Sequence, residues 1–416
     1  MMQRRVLLVA FHFPPLLGSS GWLRTAAFAR HLPEHGWEPV VLSPSPRAYS
    51  ATSPAGLSTV EGIETHRTFA LDTSRQLSIR GRYPLALALP DRWVSWFPAA
   101  VATGLRIIRR RRPSVIWATF PVPTAIAIGL ALRRMSGLPL IVDLRDAMVD
   151  PDYPETPSER WAYRWLEKHA IHSADAIVLT TPGAAALYRD RYPEIQADRF
   201  HIIPNGYDED AFVRAERKVA ANRHDDGTEI RLLHSGLLSR VDRDPRAFFE
   251  ALKHLSGAGI IQKYGLRIVL RGSGDEVHYQ QQIDRLGISE FVQLAPSVDY
   301  ETALSEMLEA DGLLLFQGTT CNHAIPAKIF EYFRARRPIL ALTDPAGDTA
   351  QLMRDEGVGE LADLSDEVDI ERGLKSFLEN LQSGCSPVAD RAAIRRYSRS
   401  GLTGEFAGLL NSVADE

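Results

Sequence analysis

Residues 323–340 read HAIPAKIFEYFRARRPIL. Lys328 and Glu331 stand three residues apart, which places opposite charges on one face of a helix. Around them Ile329, Phe330, Tyr332 and Phe333 need a core to pack against. Pro326 is placed as a first-turn proline, which opens a helix rather than breaking it. The plain reading is an i,i+3 ion pair. The alternative is a site that needs a cation at the start of a helix and a carboxylate one turn on.

Other candidates sit where apolar runs end. HFPPLLGSSGWLRTAAFARHL carries Gly18, Ser19, Ser20 and Gly21 into a helix that includes Arg24. Small residues permit close backbone approach, and a helix N-terminus favours an anion. The loop is not GxGxxG, and an ordinary strand–helix connection explains it equally well. LLHSGLLSRVDRDP places Gly236 at a strand end and Arg243 before the next helix. Arg243 could hold a phosphate bidentately, or simply pair with Asp242 or Asp244 in water. RGSGDE at 271–276 reads as a turn. VDLRDAMVD puts Asp143, Arg145 and Asp146 directly after a buried run. They could pair among themselves, and their spacing gives no convincing metal site. A two-carboxylate glycosidase has no support from the rest of the pattern.

The elements that must position these residues are legible as an alternation. RVLLVAF, EPVVLSP, SVIWATF, LPLIVDL, ADAIVLTT and FHIIP read as buried strands separated by helix-length segments. The pattern restarts with IRLLHSG, LRIVLRGSG, EFVQLAP, DGLLLFQG and RPILALT. This is an α/β pattern of parallel sheets covered on both faces. The polar segment 209–228 reads as a linker. The expected organisation is a first domain over 1–208, a second over 209–385, and a helical segment over 386–416 that packs back on the first. In such sheets ligands bind beyond the carboxyl ends of the strands.

Composition narrows the function. A chain of 416 residues exceeds one ordinary core, and 45% hydrophobic with 24% charged residues describes a soluble globular protein. A net charge of −4 gives no reason to expect nucleic acid. Cys321 and Cys385 have no metal-ligand spacing and suggest a reducing compartment. The start MMQRRVLLVAFHFPP is basic and then apolar, like a signal peptide. Its apolar run is short and Pro14-Pro15 interrupts it, so a first strand is the better reading. No apolar run reaches the ~18–20 residues that span a bilayer. The expected location is cytoplasmic, with any membrane contact peripheral, at the inner face of the cell membrane.

Taken in order, FPPLLGSSGWLRTAAFARHLPEHGWEPVVLSP, SVIWATFPVPTAIAIGLALRRMSGLPLIVDLRD, IIPNGYDEDAF, HSGLLSRVDRDP and IPAKIFEYFRARRPIL with TDPAGDTA resemble the family 4 glycosyltransferases of the GT-B fold. The resemblance spans nearly the whole chain. It implies two doubly wound Rossmann-like domains facing each other across a cleft, and a nucleoside-diphosphate sugar, UDP- or GDP-linked, as donor. Lys328 and Arg243 match the cations that face the diphosphate, and Glu331 matches the carboxylate that holds the ribose. Gly18, Ser19, Ser20, Gly21, Gly236, His323, Ala324 and Ile325 fall on donor-binding positions. Arg145 and Asp146 fall among the catalytic positions, and Arg24 and Asp143 on the acceptor side. His323 stands where many members have a second glutamate, and Arg145 where many have a histidine.

The resemblance implies transfer with retention of configuration and no metal or other cofactor, the charge on the leaving phosphate being met by Lys, Arg and a helix dipole. It implies a glycan or lipid-linked acceptor in bacterial surface polysaccharide or glycolipid synthesis. In PDRWVSWFPAAVATGLRIIRRRRPSVIW, residues 93–112 combine Trp93, Trp96 and Phe97 with Arg109–Arg112. This could rest on an anionic membrane, or be a packed helix with a basic end. Two rivals stay open: a nucleotide-sugar epimerase of the same fold, and a non-catalytic nucleotide-sugar-binding regulatory subunit.

Overall fold

The computed structural model describes residues 4–17, 21–151, 153–221 and 229–415. The chain divides into two compact units, Met1–Asn205 with Arg399–Glu416 (unit 1) and Gly206–Ser398 (unit 2).

Among the described residues, unit 1 has seven strands: β1 (Arg4–Val9), β2 (Trp37–Pro44), β3 (Glu64–Thr68), β4 (Val115–Thr119), β5 (Leu140–Leu144), β6 (Ala176–Leu179) and β7 (Phe200–Ile202). All pair in parallel, in the order β3-β2-β1-β4-β5-β6-β7. The helices are α1 (Trp22–His31), α2 (Trp96–Arg111), α3 (Pro123–Ser136), α4 (Pro157–Ser173) and α5 (Pro182–Arg191). The two-residue period of a strand sends Leu7 and Val9 to one face and Val6 and Leu8 to the other. Residues of α2–α5 cover the first face. On the second, α1 packs with the C-terminal helix Arg399–Asp415, whose Phe406 stacks on Phe28 at 4.5 Å and meets Trp117 at 5.9 Å.

Unit 2 holds β8 (Ile230–Ser235), β9 (Leu266–Arg271), β10 (Val292–Ala295), β11 (Gly312–Gln317), β12 (Ile339–Thr343) and β13 (Glu360–Ala362), in the parallel order β10-β9-β8-β11-β12-β13. Its helices are α6 (Glu209–Ala221), α7 (Arg246–Gly257), α8 (Ile260–Lys263), α9 (Glu276–Leu286), α10 (Tyr300–Glu309), α11 (Lys328–Ala335), α12 (Asp348–Asp355), α13 (Glu367–Ser383) and α14 (Arg391–Arg396). The chain builds outward from β8 to β10, then returns to place β11 beside β8. That reversal opens a crevice at the carboxyl ends of β8 and β11, as the same reversal does between β1 and β4 in unit 1.

The structure corrects two expectations. Residues 209–221 are helix α6 rather than linker, and residues 222–228 lie outside the described residues. Ala211, Phe212 and Ala215 give α6 a buried stripe, and Arg334 bridges Glu209 and Glu216 while lying over the Phe212 ring. The aromatic part of 93–112 is not a surface: Trp96 is fully buried, and Trp93 and Phe97 pack against the core. Arg109–Arg112 are exposed, but Arg111 pairs with Glu64. Among the described residues, no helix is long and apolar enough to cross a membrane.

Phe406→Ala should destabilise unit 1 by about 3–5 kcal/mol, the usual cost of emptying a buried aromatic site. A denaturant titration followed by near-ultraviolet circular dichroism measures it.

Candidate functional site

The crevice at the head of β8 and β11 is built around Lys328. Its ammonium is buried and makes no hydrogen bond. The expected i,i+3 ion pair with Glu331 is not what the lysine makes. It points instead into space that exists because residue 236 is glycine. A Cβ on Gly236 would stand 2.6 Å from Nζ and 3.4 Å from Cε, and the backbone there has φ +130°. Burial, then the charge of Arg243, pushes Lys328 down to about 7, with Glu331 pulling the other way. Lys328 is also the first residue of α11, whose positive dipole end disfavours a cation. Everything near this ammonium except Glu331 asks for an anion.

Neighbouring groups fix the geometry. His234 donates Nδ1–H to the Leu314 carbonyl (2.9 Å), which leaves Nε2 buried without a partner. Burial, then Lys328, holds its pKa well below the usual imidazole range, so it adds no competing charge. The Tyr332 hydroxyl accepts from the Ser235 amide and donates to the Leu314 carbonyl, both at 3.3 Å, tying the end of β8 to β11. Gln317 anchors the segment before α11, donating to the carbonyls of Cys321 (2.7 Å) and Ala324 (2.8 Å) and accepting from the Thr349 hydroxyl. The half-buried His323, Ala324 and Ile325 ride on this segment. Asn322 donates to Asp344 (2.6 Å), which fastens the acidic turn beneath them.

Glu331 accepts a 2.7 Å hydrogen bond from the Tyr300 hydroxyl. Arg243 is about one-third exposed, pairs with Asp242 at 3.2 Å and donates to the Leu237 carbonyl at 3.3 Å. The simple pairing expected as its plain alternative is thus present, yet Arg243 lies close enough to depress Lys328.

In unit 1 the candidates divide. Arg24 and Asp143 are both buried and spend themselves on each other, at 3.0 and 3.3 Å, while Arg24 also donates to the carbonyls of Ile203 (3.0 Å) and Pro204 (2.8 Å). Thr119 donates to Asp143 as well (3.3 Å). This pair is internal scaffolding rather than a surface for an acceptor. Arg145 donates Nε–H to Phe120 (2.8 Å) and Nη1–H to the Gly21 carbonyl, and its Nη2 is buried without a partner. Asp146 is exposed. Gly18, Ser19 and Ser20 lie outside the described residues.

Sequence reasoning passed over His12, Tyr300 and Gln317. His12 lies just beyond β1, after Ala10 and Phe11; its Nδ1 is buried without a partner, and burial with the nearby Arg145 charge lowers its pKa to about 3. Its place in HFPP after the first strand was the available signal. Tyr300 opens α10 behind the capping Asp299.

Comparison with known proteins bears on this geometry. Residues 21–206 match the family model described as glycosyl transferase 4-like domain. No curated protein matches the chain. Anabaena Alr3699/HepE, solved in complex with UDP, superposes with TM-score 0.69 at 15% identity, covering 98% of this chain and 100% of that one. Sucrose-phosphate synthase from Thermosynechococcus elongatus gives 0.67 at 14% identity, covering 99% of each chain. A putative UDP-N-acetylglucosamine 2-epimerase from Listeria monocytogenes gives 0.60 at 13%, covering 99% of this chain and 96% of that one. The two parallel-sheet units are those of the GT-B fold.

Two outcomes follow from the buried Arg24–Asp143 pair and from the lysine. Asp143→Ala leaves Arg24 buried and uncompensated, and should cost about 3–5 kcal/mol, read by chemical denaturation. Lys328 is charged in the unfolded chain up to about pH 10.4 but only up to about 7 when folded. The unfolded state therefore binds the extra proton between these values, and the parent gains stability as pH rises through that window. Lys328→Met should accordingly raise the melting temperature at pH 6.5, with the advantage shrinking toward pH 9.5.

Proposed function

We propose that the chain is a retaining, metal-independent glycosyltransferase. It moves a sugar from a nucleoside-diphosphate sugar to a hydroxyl of a glycan or lipid-linked glycan acceptor, in bacterial surface polysaccharide or glycolipid synthesis. The observation that carries this reading is the buried, unpartnered Lys328 ammonium beside Arg243, at a helix N-terminus in the crevice between β8 and β11.

A diphosphate is the ligand that relieves this arrangement. Its charge restores the proton on Lys328, engages Arg243 and lies at the favourable end of α11. As the glycosidic bond breaks, further charge collects on the β-phosphate, and the same fixed groups stabilise it without reorganising. Glu331, aligned by Tyr300, is placed to accept from ribose hydroxyls. The leaving phosphate takes the acceptor's proton during front-face attack, so catalysis rests on position and charge rather than on a dedicated base. HepE has been solved with UDP and with UDP-glucose, which favours a uridine donor over guanosine. Within unit 1, the unpartnered Nη2 of Arg145 and Nδ1 of His12 support a polar ligand contact beyond the carboxyl ends of β5 and β1. Cys321 and Cys385 are both free thiols, which suits a cytoplasmic site of action.

The rival is the epimerase of the same fold, to which one of the similar structures was assigned. Transfer releases UDP in proportion to a second, acceptor sugar, whereas epimerisation changes the donor without one.

Glu331→Ala should weaken UDP binding roughly 10- to 100-fold, the worth of hydrogen bonds to a charged acceptor, as measured by calorimetry. Unchanged affinity removes Glu331 from the site. Lys328→Ala and Arg243→Ala should each slow turnover by ~10²–10³, assayed as acceptor-dependent UDP release. Chelator should leave that rate unchanged, and strict dependence on a divalent ion would contradict the mechanism.

A further inference from the structure

Between β3 and α2 the chain makes an excursion whose outer part exposes several apolar side chains. Its neck is closed by the Thr73 hydroxyl on the Leu87 carbonyl (2.5 Å) and the Thr73 amide on the Arg92 carbonyl (2.8 Å). Beyond the neck, Ile79 and Arg82 exchange backbone hydrogen bonds of 2.9 and 3.0 Å around Arg80 and Gly81, both at positive φ (52° and 76°). This is a tight hairpin tip with the twist of a two-residue turn. The excursion carries Ile79 at 78% exposure, Leu85 at 52%, Leu87 at 42% and Tyr83 at 39%. Isolated exposed apolar residues need no explanation, but a cluster on one short projection does.

Its charge is one-sided. From residue 73 to residue 90 there is no Asp or Glu, and the flanking Asp72 and Asp91 are both buried. Arg80 and Arg82 are exposed and have no partner among the described residues. Aliphatic side chains, a tyrosine and unpaired arginines on a projecting loop complement one kind of partner. The apolar groups enter the acyl boundary, the tyrosine sits at headgroup depth, and the arginines meet anionic phosphates.

We infer that unit 1 docks on an anionic lipid bilayer through the 77–87 hairpin. This moves the membrane contact away from 93–112, where Trp96 is buried and Trp93 and Phe97 pack against the core. The excursion leaves the carboxyl end of β3, and His12 and Arg145 follow the carboxyl ends of β1 and β5 in the same sheet. The hairpin thus belongs to the ligand-bearing edge of unit 1. The inference does not depend on the donor, because vesicle binding needs no nucleotide and no turnover.

The test is co-sedimentation of the full chain with vesicles of phosphatidylcholine alone and of phosphatidylcholine mixed with phosphatidylglycerol, without donor. The parent should bind the anionic vesicles and lose them at high salt. An Ile79→Ser/Leu85→Ser variant should bind roughly tenfold more weakly. An Arg80→Gln/Arg82→Gln variant should lose roughly fivefold per arginine on the anionic vesicles and little on neutral ones. Circular dichroism and the UDP-induced thermal shift should stay at parent values in both. Failure of the parent to bind either vesicle overturns the inference, as does undiminished binding by the Ile79→Ser/Leu85→Ser variant. Concentration-dependent self-association that this variant abolishes, without vesicle binding, overturns it in favour of a second copy of the chain.

Discussion

Unit 2 is organised around one unfavourable placement: a lysine ammonium held buried, beside an arginine, at the positive end of a helix. No folding advantage explains it, since a buried cation without a partner costs stability. Several features exist to maintain it. Gly236 supplies room that any side chain would fill, and Tyr332 and His234 lock β8 against β11 without introducing a rival charge. Gln317 pins the turn that leads into α11. The topological reversal between β8 and β11 makes the crevice in which this strain can be relieved by a ligand.

Unit 1 treats its charges in the opposite way. Arg24 and Asp143 neutralise each other in the interior and tie α1, β5 and the segment after β7 together. Arg145 and His12, beyond the carboxyl ends of β5 and β1, each keep a buried polar atom unspent. Residues two positions apart in VDLRD therefore do different jobs. Asp143 lies within β5 and faces its packed surroundings, while Arg145 lies just past the strand, where ligands are met.

Much of this was readable in the sequence, and the exceptions have physical causes. The central strands announce themselves because both faces are buried and nearly every residue is apolar, as in VIWAT and GLLLFQ. β3 and β13 were not read as strands. Both lie at sheet edges, with half-exposed residues such as ETHRT that carry no apolar run. Helix α6 was hidden because three buried side chains and an arginine from α11 hold it, and the latter is a long-range contact. Lys328 and Glu331 stood out through their setting in an apolar helix. Their separate fates, one without a partner and one bonded to Tyr300, depend on groups almost a hundred and some thirty residues away. Spacing alone favours the plain ion pair and cannot see Gly236 or Tyr300.

The most direct measurement is the titration of Lys328 itself, by nuclear magnetic resonance of isotope-labelled lysine side chains, with the signal assigned through Lys328→Arg. In the free protein this lysine should titrate near the low value of about 7 set by burial and Arg243, and UDP should raise it toward the ordinary lysine range of about 10. A lysine that titrates near about 10 in the free protein and does not respond to UDP would contradict the assignment of this crevice as the diphosphate site.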